Sequence, residues 1–496
     1  MVLWIGLGFA ASTPLLHAQN EADVLRYGWI DPLHSARVTA MGGAFGVLGA
    51  DLSCMGINPA GLGLYRRGDV AVNAGIHSGS TESRWRNGRV DAAGNALVGG
   101  NVGVALTYPS VDAAWPFFTL AVAHQNRTPF AQQVNIEGVA IDHSVSDLFV
   151  AQALDDADIY GYLSTDSALS EGIIFPFGAA LAWRSGLLQP DNSSGYATLA
   201  NGALHVDRTI EREGRLAETQ IAFGTMYQDR LAFGITLGIP KVEFEEQSRH
   251  VETMNAATSS FQGWEYNENL SISGRGYLLR FGALLRASEA LRIGLAYQTR
   301  SRLTLVDTYT TDIQTSWLDA TPVRAVSPTS NAEYIVYTPD RTTVSASFLL
   351  GKSGVLNADY ARSDMRRGAL AESTGFLALN TEFAAENDAV QEGYTVVHQA
   401  RVGLELRVGD NDQFRIRGGG GMSTSPFVDE AVQANATRYH LGFGGGLRIG
   451  DVHFSATWRT AWHSEDFYFM GAFSQEPPGT LNRRNSALLL CAGLRL

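Results

Sequence analysis

The feature that most constrains this chain is a series of segments in which apolar and polar side chains alternate, with breaks every ten to twenty residues. Side chains on a β-strand point to opposite faces with a period of two, so each segment has one apolar and one polar face. The arginine-rich polar face is better suited to water and the other to lipid, which predicts a transmembrane β-barrel. In residues 395–408 the apolar face carries Val396, Ala400, Val402, Leu404, Leu406 and Val408, and the polar face carries Gln399, Arg401, Glu405 and Arg407.

The composition also favours a barrel over a helical membrane protein. The chain has 496 residues without a dividing linker, and its 53 glycines against 15 prolines suit many strands and tight turns. It is 45% hydrophobic, with a mean hydropathy of −0.05. A membrane-spanning helix needs about 20 successive apolar residues, which no internal stretch approaches, whereas a barrel strand needs only about ten, half of them polar.

Counting the alternating segments gives about fourteen strands, an even number as in bacterial barrels. We therefore predict an all-β fold, a 14-stranded antiparallel transmembrane β-barrel, with strands at 69–77, 100–109, 116–126, 218–228, 231–246, 266–286, 290–312, 333–350, 354–364, 394–408, 412–422, 436–449, 452–461 and 485–496. Short and long connections alternate, as periplasmic turns and extracellular loops do. The predicted long connections are 78–99, 127–217, 247–265, 313–332, 365–393, 423–435 and 462–484.

Two segments precede the first predicted strand. Residues Val2 to Leu16 form an apolar run that ends at His17-Ala18, which is typical of a secretory signal peptide over 1–18. A buried N-terminal helix is the alternative interpretation of this run. Residues 20–68 are rich in glycine and small side chains, and they are too long for a simple leader.

Charge, cysteine content and motif content limit the possible functions. The net charge of −13 argues against nucleic acid as a partner, because nucleic-acid binding requires a basic surface. Cys54 and Cys491 cannot form a disulfide framework, and two free thiols are favoured over a bridge between them. The histidines are scattered without metal-ligand spacing, and no Gly-x-Ser-x-Gly motif occurs. We predict no metal, no cofactor and no enzyme, and only a lipase with catalytic residues on separate strands stays open.

The predicted connection 127–217 is far longer than ordinary loops, and loops of such length are usually functional. Within it, Val145, Leu148 and Phe149 recur at helical spacing. The simplest interpretation is a helix that packs against its own loop. The alternative is an apolar surface patch that captures apolar ligands, and these three residues are our candidates for ligand capture.

Several segments resemble a known family. The segment from Ser35 to Phe45, SARVTAMGGAF, leads to Asn58-Pro59-Ala60-Gly61-Leu62. This pair of segments resembles the N-terminal hatch of the FadL/TodX family of outer-membrane hydrophobic-compound transporters, whose hatch carries an Asn-Pro-Ala motif. The segments 101–109, 231–240, 291–297, 337–339 and 351–360 resemble strands and hairpins of Bacteroidetes-like members. The resemblance covers essentially the mature chain, but the final residue is Leu496 where the family tends to have phenylalanine.

The resemblance implies a hatch over 19–68 inside a barrel over 69–496, with Asn58, Pro59 and Ala60 as the hatch hinge. Such proteins take up long-chain fatty acids or other hydrophobic small molecules without an energy source. Ligand is captured at extracellular loops, held in an apolar pocket and released when the hatch shifts, with sideways exit near the third strand. The implied surroundings are the lipids of the cell outer membrane, and we expect a monomer.

One set of arginines shares the polar face of neighbouring predicted strands. As a basic ladder, they would bind the carboxylate head group of a ligand. The favoured alternative is an ion-paired wall, in which Glu405 and hatch acids such as Asp51 neutralise them. The set comprises Arg401, Arg407, Arg415, Arg417, Arg438, Arg448 and Arg459.

Two rival functions are compatible with the same fold. Some relatives act as protein-interaction components of a secretion system, capture cargo at the cell surface and transport no small molecule. Long connections such as 365–393 suit either role. The second rival is a general porin, which requires an open water-filled pore and therefore predicts a steady ion current.

Overall fold

The computed structural model describes residues 20–29, 33–141, 143–160, 177–191, 195–254, 260–373, 383–409, 413–428, 436–468 and 477–496, so the predicted signal peptide at 1–18 lies outside the described residues. The strands are β1 (Asp69–Trp85), β2 (Gly88–Pro109), β3 (Phe117–Pro129), β4 (Gln132–Ala140), β5 (Leu188–Asp191), β6 (Gly195–Thr198), β7 (Leu204–Tyr227), β8 (Leu231–Met254), β9 (Phe261–Arg286), β10 (Leu291–Gln298), β11 (Arg302–Trp317), β12 (Ala320–Val326), β13 (Ser330–Tyr337), β14 (Arg341–Leu349), β15 (Gly354–Asp364), β16 (Ala369–Glu372), β17 (Val396–Val408), β18 (Phe414–Ser423), β19 (Arg438–Ile449), β20 (Val452–Phe467) and β21 (Gly479–Arg495). The α-helices are α1 (Ala22–Gly28), α2 (Ala36–Ala40), α3 (Ser146–Tyr160), α4 (Phe177–Arg184) and α5 (Ala384–Gly393), and the 3₁₀ helices are η1 (Leu52–Gly56), η2 (Pro59–Leu64) and η3 (Met365–Arg367).

The strands close into one antiparallel barrel. β1 pairs with β2 on one side and with β21 on the other, from Asp69↔Arg495 to Arg84↔Thr480, so the sheet has no open edge there. Three wall strands consist of two segments each, namely β3 with β4, β10 with β11, and β13 with β14. Counted in this way, the described residues form fourteen wall strands, and the predicted fold class is confirmed.

The outer surface of the barrel is apolar and the inner surface is polar. On β17, Gln399 and Glu405 are buried inside, whereas Val402 and Val408 are exposed on the outside. A continuous apolar belt of this kind is stable only in the hydrocarbon region of a membrane. Its exposed side chains around the wall include Leu120, Ile235, Phe281, Val344, Tyr439, Leu441, Phe443, Phe454, Trp458 and Leu490. None of the helices within the described residues is long and apolar enough to cross a membrane.

Several strands are longer than the alternation of side chains predicts. β7 and β8 have 24 residues each and β9 has 26, although about ten residues suffice to span a bilayer. The long connection predicted at 78–99 is wrong, because Arg86-Asn87 alone joins β1 to β2. Beyond the bilayer the outward face of β1 becomes polar, with ion pairs such as Glu82–Arg89, while Thr81, Ser83 and Trp85 stay buried on the inner face and the backbone hydrogen bonds continue.

The segment before β1 lies inside the barrel and fills it. Because its side chains face the wall on all sides, Val38, Met41, Phe45 and Val47 are completely buried. We call residues 33–68 the hatch, and it contains α2, η1 and η2. α1 precedes the hatch and lies in the extracellular half of the lumen, where it packs on β13 and η3.

Candidate functional site

The hatch is seated on a row of glycines in the wall. Gly224, Gly234 and Gly282 are register partners on β7, β8 and β9, so they form one smooth strip across three strands. A methyl group at Gly282 would collide with Asn58 Oδ1, and one at Gly234 would collide with the Pro59 carbonyl group. We call these three residues the glycine row, and only glycine there allows the Asn-Pro-Ala segment to approach the backbone of the wall.

The Asn-Pro-Ala segment links the hatch to itself and to the wall. Asn58 Oδ1 accepts a hydrogen bond from the N–H of Ala60 at 3.1 Å, which caps η2. Asn58 Nδ2 donates to the carbonyl oxygen of Gly46 at 2.7 Å and to that of Ala283 on β9 at 3.3 Å. Asn58 therefore holds two hatch turns and one wall strand together, and its role as a hinge stays a prediction.

The opposite side of the hatch contacts a second group of wall glycines. A methyl group at Gly42 would collide with the backbone of Gly420 on β18, and one at Gly442 on β19 would collide with the Thr39 carbonyl oxygen. The His440 ring forms a hydrogen bond to the Gly42 carbonyl oxygen with an Nε2–O distance of 2.9 Å. The hatch is therefore in close backbone contact with the wall on two sides.

A buried carboxylate on β17 forms the main ionic link between hatch and wall. Glu405 accepts hydrogen bonds from Nε and Nη2 of the hatch residue Arg37, at N–O distances of 2.9 and 3.0 Å. It also accepts Arg417 Nε of β18 at 2.7 Å. The sequence predicts that Asp51 of the hatch helps to neutralise the lumen arginines. In the structure its carboxylate accepts hydrogen bonds from Ser35 Oγ and the Ser53 N–H. Sequence reasoning assigned no role to Arg37.

A second carboxylate holds the hatch by its backbone. Asp359 on β15 accepts hydrogen bonds from the N–H groups of Phe45 and Gly46 at 2.8 and 3.0 Å. Thr457 Oγ1 on β20 donates to the Ala36 carbonyl oxygen, and Asn73 Oδ1 on β1 accepts the Ala36 N–H. Buried backbone groups of the hatch thus find partners in wall side chains, as buried polar groups require.

Four arginines converge in the middle of the lumen beside the hatch. We call Arg127, Arg280, Arg341 and Arg401 the mid-lumen basic group, and they line a cavity of about 30 Å³ together with His34. Glu218 forms a two-armed ion pair with Arg280 and lies 3.8 Å from Arg127 Nε.

The two other members of the mid-lumen basic group differ in their partners, since Arg401 donates a hydrogen bond to Gln399 Oε1 at 2.5 Å. The Arg341 side chain makes no hydrogen bond or ion pair within the described residues. Burial and the positive charge of Arg127 hold the pKa of the hatch residue His34 well below its usual range, so this ring is neutral at physiological pH. The group therefore places the positive charge of Arg341 beside this small cavity.

The predicted arginine ladder is spread over three levels of the lumen. Arg401 belongs to the mid-lumen basic group, whereas Arg438 lies near the extracellular end with its guanidinium 4.2 Å from the centre of the Trp29 ring. Arg415, Arg417 and Arg448 line a larger cavity of about 450 Å³ at the periplasmic end. Arg407 is exposed near the turn after β17, and Arg459 is buried on β20. These side chains do not form one continuous site.

The lumen above the hatch is occupied by α1 and apolar wall side chains. Asp23 accepts a hydrogen bond from the Tyr334 hydroxyl at 2.6 Å, and the Arg26 guanidinium lies 4.1 Å from the centre of the Phe244 ring. Burial raises the pKa of Asp23. The cluster around α1 includes Val242, Leu303, Leu305, Val336, Leu370 and Val397.

The candidate capture residues lie in the core of the β4–β7 connection. Val145 and Phe149 are 4% and 1% exposed, and Leu148 is half-buried. The Phe149 ring contacts Trp264 and Tyr266 of β9 at centroid distances of 5.9 and 5.4 Å. In this state the three side chains form no open patch, and ligand capture by them stays a prediction.

Cys54 and Cys491 are both buried free thiols.

Comparisons with known proteins identify the fold. No protein-family model and no curated protein matches the chain. The crystal structure of a Pseudomonas aeruginosa FadL homologue matches with a TM-score of 0.57 and 10% identity, covering 94% of this chain and 99% of that one. The P. putida toluene transporter TodX matches with a TM-score of 0.53 and 11% identity, covering 93% and 98%.

The architecture thus defines a class of protein, the hatch-plugged outer-membrane β-barrel. Within that class the chain has the FadL-type fold, with fourteen strands and an N-terminal plug. This fold and the apolar outer belt make the chain an integral protein of the outer membrane.

Proposed function

We propose that this chain is a passive transporter of hydrophobic compounds and not an enzyme, with long-chain fatty acids as the leading ligand class. The observation that carries the proposal is the hatch, which fills a lipid-embedded barrel from wall to wall. A plug suits a ligand that moves between apolar sites, since exposing an apolar chain to water costs about 0.8 kcal/mol per CH₂. A toluene transporter and a FadL homologue share the fold, which supports the same class of cargo.

The proposed route has three stages. Ligand first meets the extracellular loops, where Val145, Leu148 and Phe149 are the candidate capture residues, and then enters the apolar upper lumen around α1. Movement of the hatch at Asn58, Pro59 and Ala60 next opens the path to the periplasm or the lipid. The mid-lumen basic group favours a cargo with a carboxylate head group, because charge-assisted hydrogen bonds to arginine are strong and directional.

A double substitution in the hatch tests the route. Asn58→Ala combined with Pro59→Ala removes the hydrogen bonds to Gly46 and Ala283, so we expect altered fatty acid uptake by cells. The hydrogen bonds between the wall strands are unchanged. The variant should therefore still fold into a barrel, whose mobility on gels changes when it is heated. Pro322→Ala combined with Asn331→Ala, two exposed positions outside the hatch, is the matched control.

Three outcomes would contradict the proposal. Unchanged uptake in the Asn58→Ala, Pro59→Ala variant would remove the hatch from the transport route. A steady current through the wild-type protein in planar bilayers would favour the porin. Absence of uptake by wild-type cells, together with loops that become ordered only with a bound protein, would favour a component of a secretion system.

A further inference from the structure

We propose that the cavity at the periplasmic end of the barrel is a second anion site, which binds the carboxylate of an amphipathic ligand after it has passed the hatch. This inference rests on the proposed transport of such ligands. We call the cavity the periplasmic vestibule. Its polar lining includes Ser35, Arg37, Asp51, Tyr65, Arg66 and Arg67 of the hatch, Asp69 and Asn73 of β1, and Arg415, Arg417, Arg448, His453 and Arg495 of β18 to β21.

The position of the vestibule relative to the hatch is fixed by the topology. Arg448 precedes the short turn Gly450-Asp451, Arg495 is the last residue of β21, and Asp69 is the first residue of β1. Short turns lie on the periplasmic side of bacterial barrels. The hatch separates this cavity from the apolar cluster around α1, so a ligand in the vestibule has already passed the hatch.

The vestibule is strongly basic, although the whole chain has a net charge of −13. Seven arginines line it against two aspartates. Four of these arginines have a carboxylate partner within 3.3 Å: Arg37 and Arg417 pair with Glu405, Arg66 with Asp229, and Arg67 with Asp451. The three others therefore dominate the charge that a ligand meets.

Those three arginines have weak partners. Arg415 lies 3.6 Å from Glu405, which two other arginines already share. Arg448 Nε donates to the Gly450 carbonyl oxygen within its own turn at 3.0 Å. Arg495 has Asp69 of β1 as its register partner but forms no ion pair within the described residues, and the ring atom Nδ1 of His453 has no hydrogen-bond partner there. Guanidinium groups with spare N–H donors on one wall are suited to a carboxylate.

Part of the vestibule lining is apolar and can contact the hydrocarbon tail of a ligand. Leu52 and Leu64 of the hatch, Ala71 of β1 and Ala123 of β3 face the cavity. Its volume of about 450 Å³ falls within the range of about 300–1,000 Å³ that is typical of small-molecule sites. A lining that contains both arginines and apolar side chains matches a single-headed carboxylate with a hydrocarbon chain better than a neutral hydrocarbon.

The test measures binding of dodecanoate and of its neutral analogue dodecanol to the purified full-length protein in a neutral detergent. In the triple variant Arg415→Gln, Arg448→Gln and Arg495→Gln, we expect dodecanoate affinity to fall by about tenfold for each lost charge-assisted contact. Dodecanol affinity should stay within about twofold of wild type, since no contact of that strength is lost.

The matched control carries the same charge change at the same end of the barrel. Arg230→Gln, Arg286→Gln and Arg292→Gln lie around the turns of β7 to β10 and do not line the vestibule. This variant should bind dodecanoate as wild type does. Equal dodecanoate binding by both triple variants would overturn the proposal.

A measurement on the wild-type chain avoids dependence on folding of the variants. Dodecanoate that carries a photoreactive diazirine beside its carboxyl group should cross-link to 413–417, 446–455 or 491–495. Cross-links confined to the upper lumen would overturn the vestibule site while fatty acid uptake stood. Cross-links in the vestibule without uptake by cells would overturn the transport function while the site stood.

Discussion

Replacing Glu405 with glutamine should release the hatch and make a closed barrel conduct ions. The carboxylate is shared by Arg37 of the hatch and Arg417 of the wall, and it is almost completely buried. Removing one partner of a buried ion pair costs about 3–5 kcal/mol, because the remaining charge is left uncompensated. Two arginines would then face each other without a carboxylate between them.

The barrel and the hatch should respond differently to this substitution. β17 keeps its backbone hydrogen bonds to β15 and β18, so the closed sheet survives. We expect the substitution to destabilise the position of the hatch inside the barrel. A free-energy change of about 3–5 kcal/mol raises the population of the displaced hatch by about a hundredfold to a few thousandfold. The measurement is the current across planar bilayers that contain the purified protein, which should be silent for wild type and stepwise for Glu405→Gln.

The same chemical change at an exposed position is the control. Glu243 on β8 pairs with Lys241 and Arg215 at the surface, where ion pairs contribute little to stability. Glu243→Gln should therefore stay silent in bilayers. Asp359→Asn should give an intermediate current, because an amide oxygen still accepts one backbone N–H of the hatch. A folded but silent Glu405→Gln protein would show that this ion pair does not hold the hatch.

The barrel was predictable because its signal is local. A period of two in side-chain polarity identifies a strand from a few residues, and lipid enforces that period on every spanning segment. The length of the strands was not predictable in the same way. Around Glu82 and Arg89 the outward face is polar and the buried inner face carries Thr81 and Ser83, so the contrast between an apolar and a polar face is lost although β1 and β2 continue to pair.

The contacts that seat the hatch depend on the register of distant strands. Arg37 and Glu405 are 368 residues apart, and neither residue identifies the other in the sequence. Gly224, Gly234 and Gly282 become one strip only when β7, β8 and β9 are aligned. The Asn-Pro-Ala segment was found by resemblance, but its seat on the wall required the structure.

The capture helix shows a similar limit. Helical spacing indicated that Val145 and Phe149 share one helical face, and the structure begins α3 directly after Val145 and places both side chains in the loop core. Spacing alone cannot specify what covers that face, because Trp264 and Tyr266 come from a strand more than a hundred residues later. The predicted arginine ladder has the same limit. Strand parity places these arginines on the lumen side, but it does not specify their height in the lumen.

Arginine at Leu404 should destabilise the barrel by about 2–4 kcal/mol, the cost of a lipid-facing arginine near the bilayer midplane. Leu404 points outward from β17, between Val408 near the periplasmic turn and His398 towards the other end of the strand. The His398 ring stacks on Tyr360 with centroids 6.0 Å apart, which is typical of the aromatic boundary of the membrane. The measurement is the free energy of unfolding in lipid vesicles, from reversible denaturant titration followed by tryptophan fluorescence.

Two controls separate charge in lipid from other effects of the substitution. Leu404→Ala removes the side chain without adding charge, and it should cost less than Leu404→Arg. Val326→Arg introduces the same charge at an exposed apolar residue of β12, which within the described residues pairs with the extracellular end of β11. That side chain meets water, so the unfolding free energy should change by less than about 0.5 kcal/mol. Equal tolerance of arginine at 404 and 326 would mean that the outer face of β17 does not contact lipid.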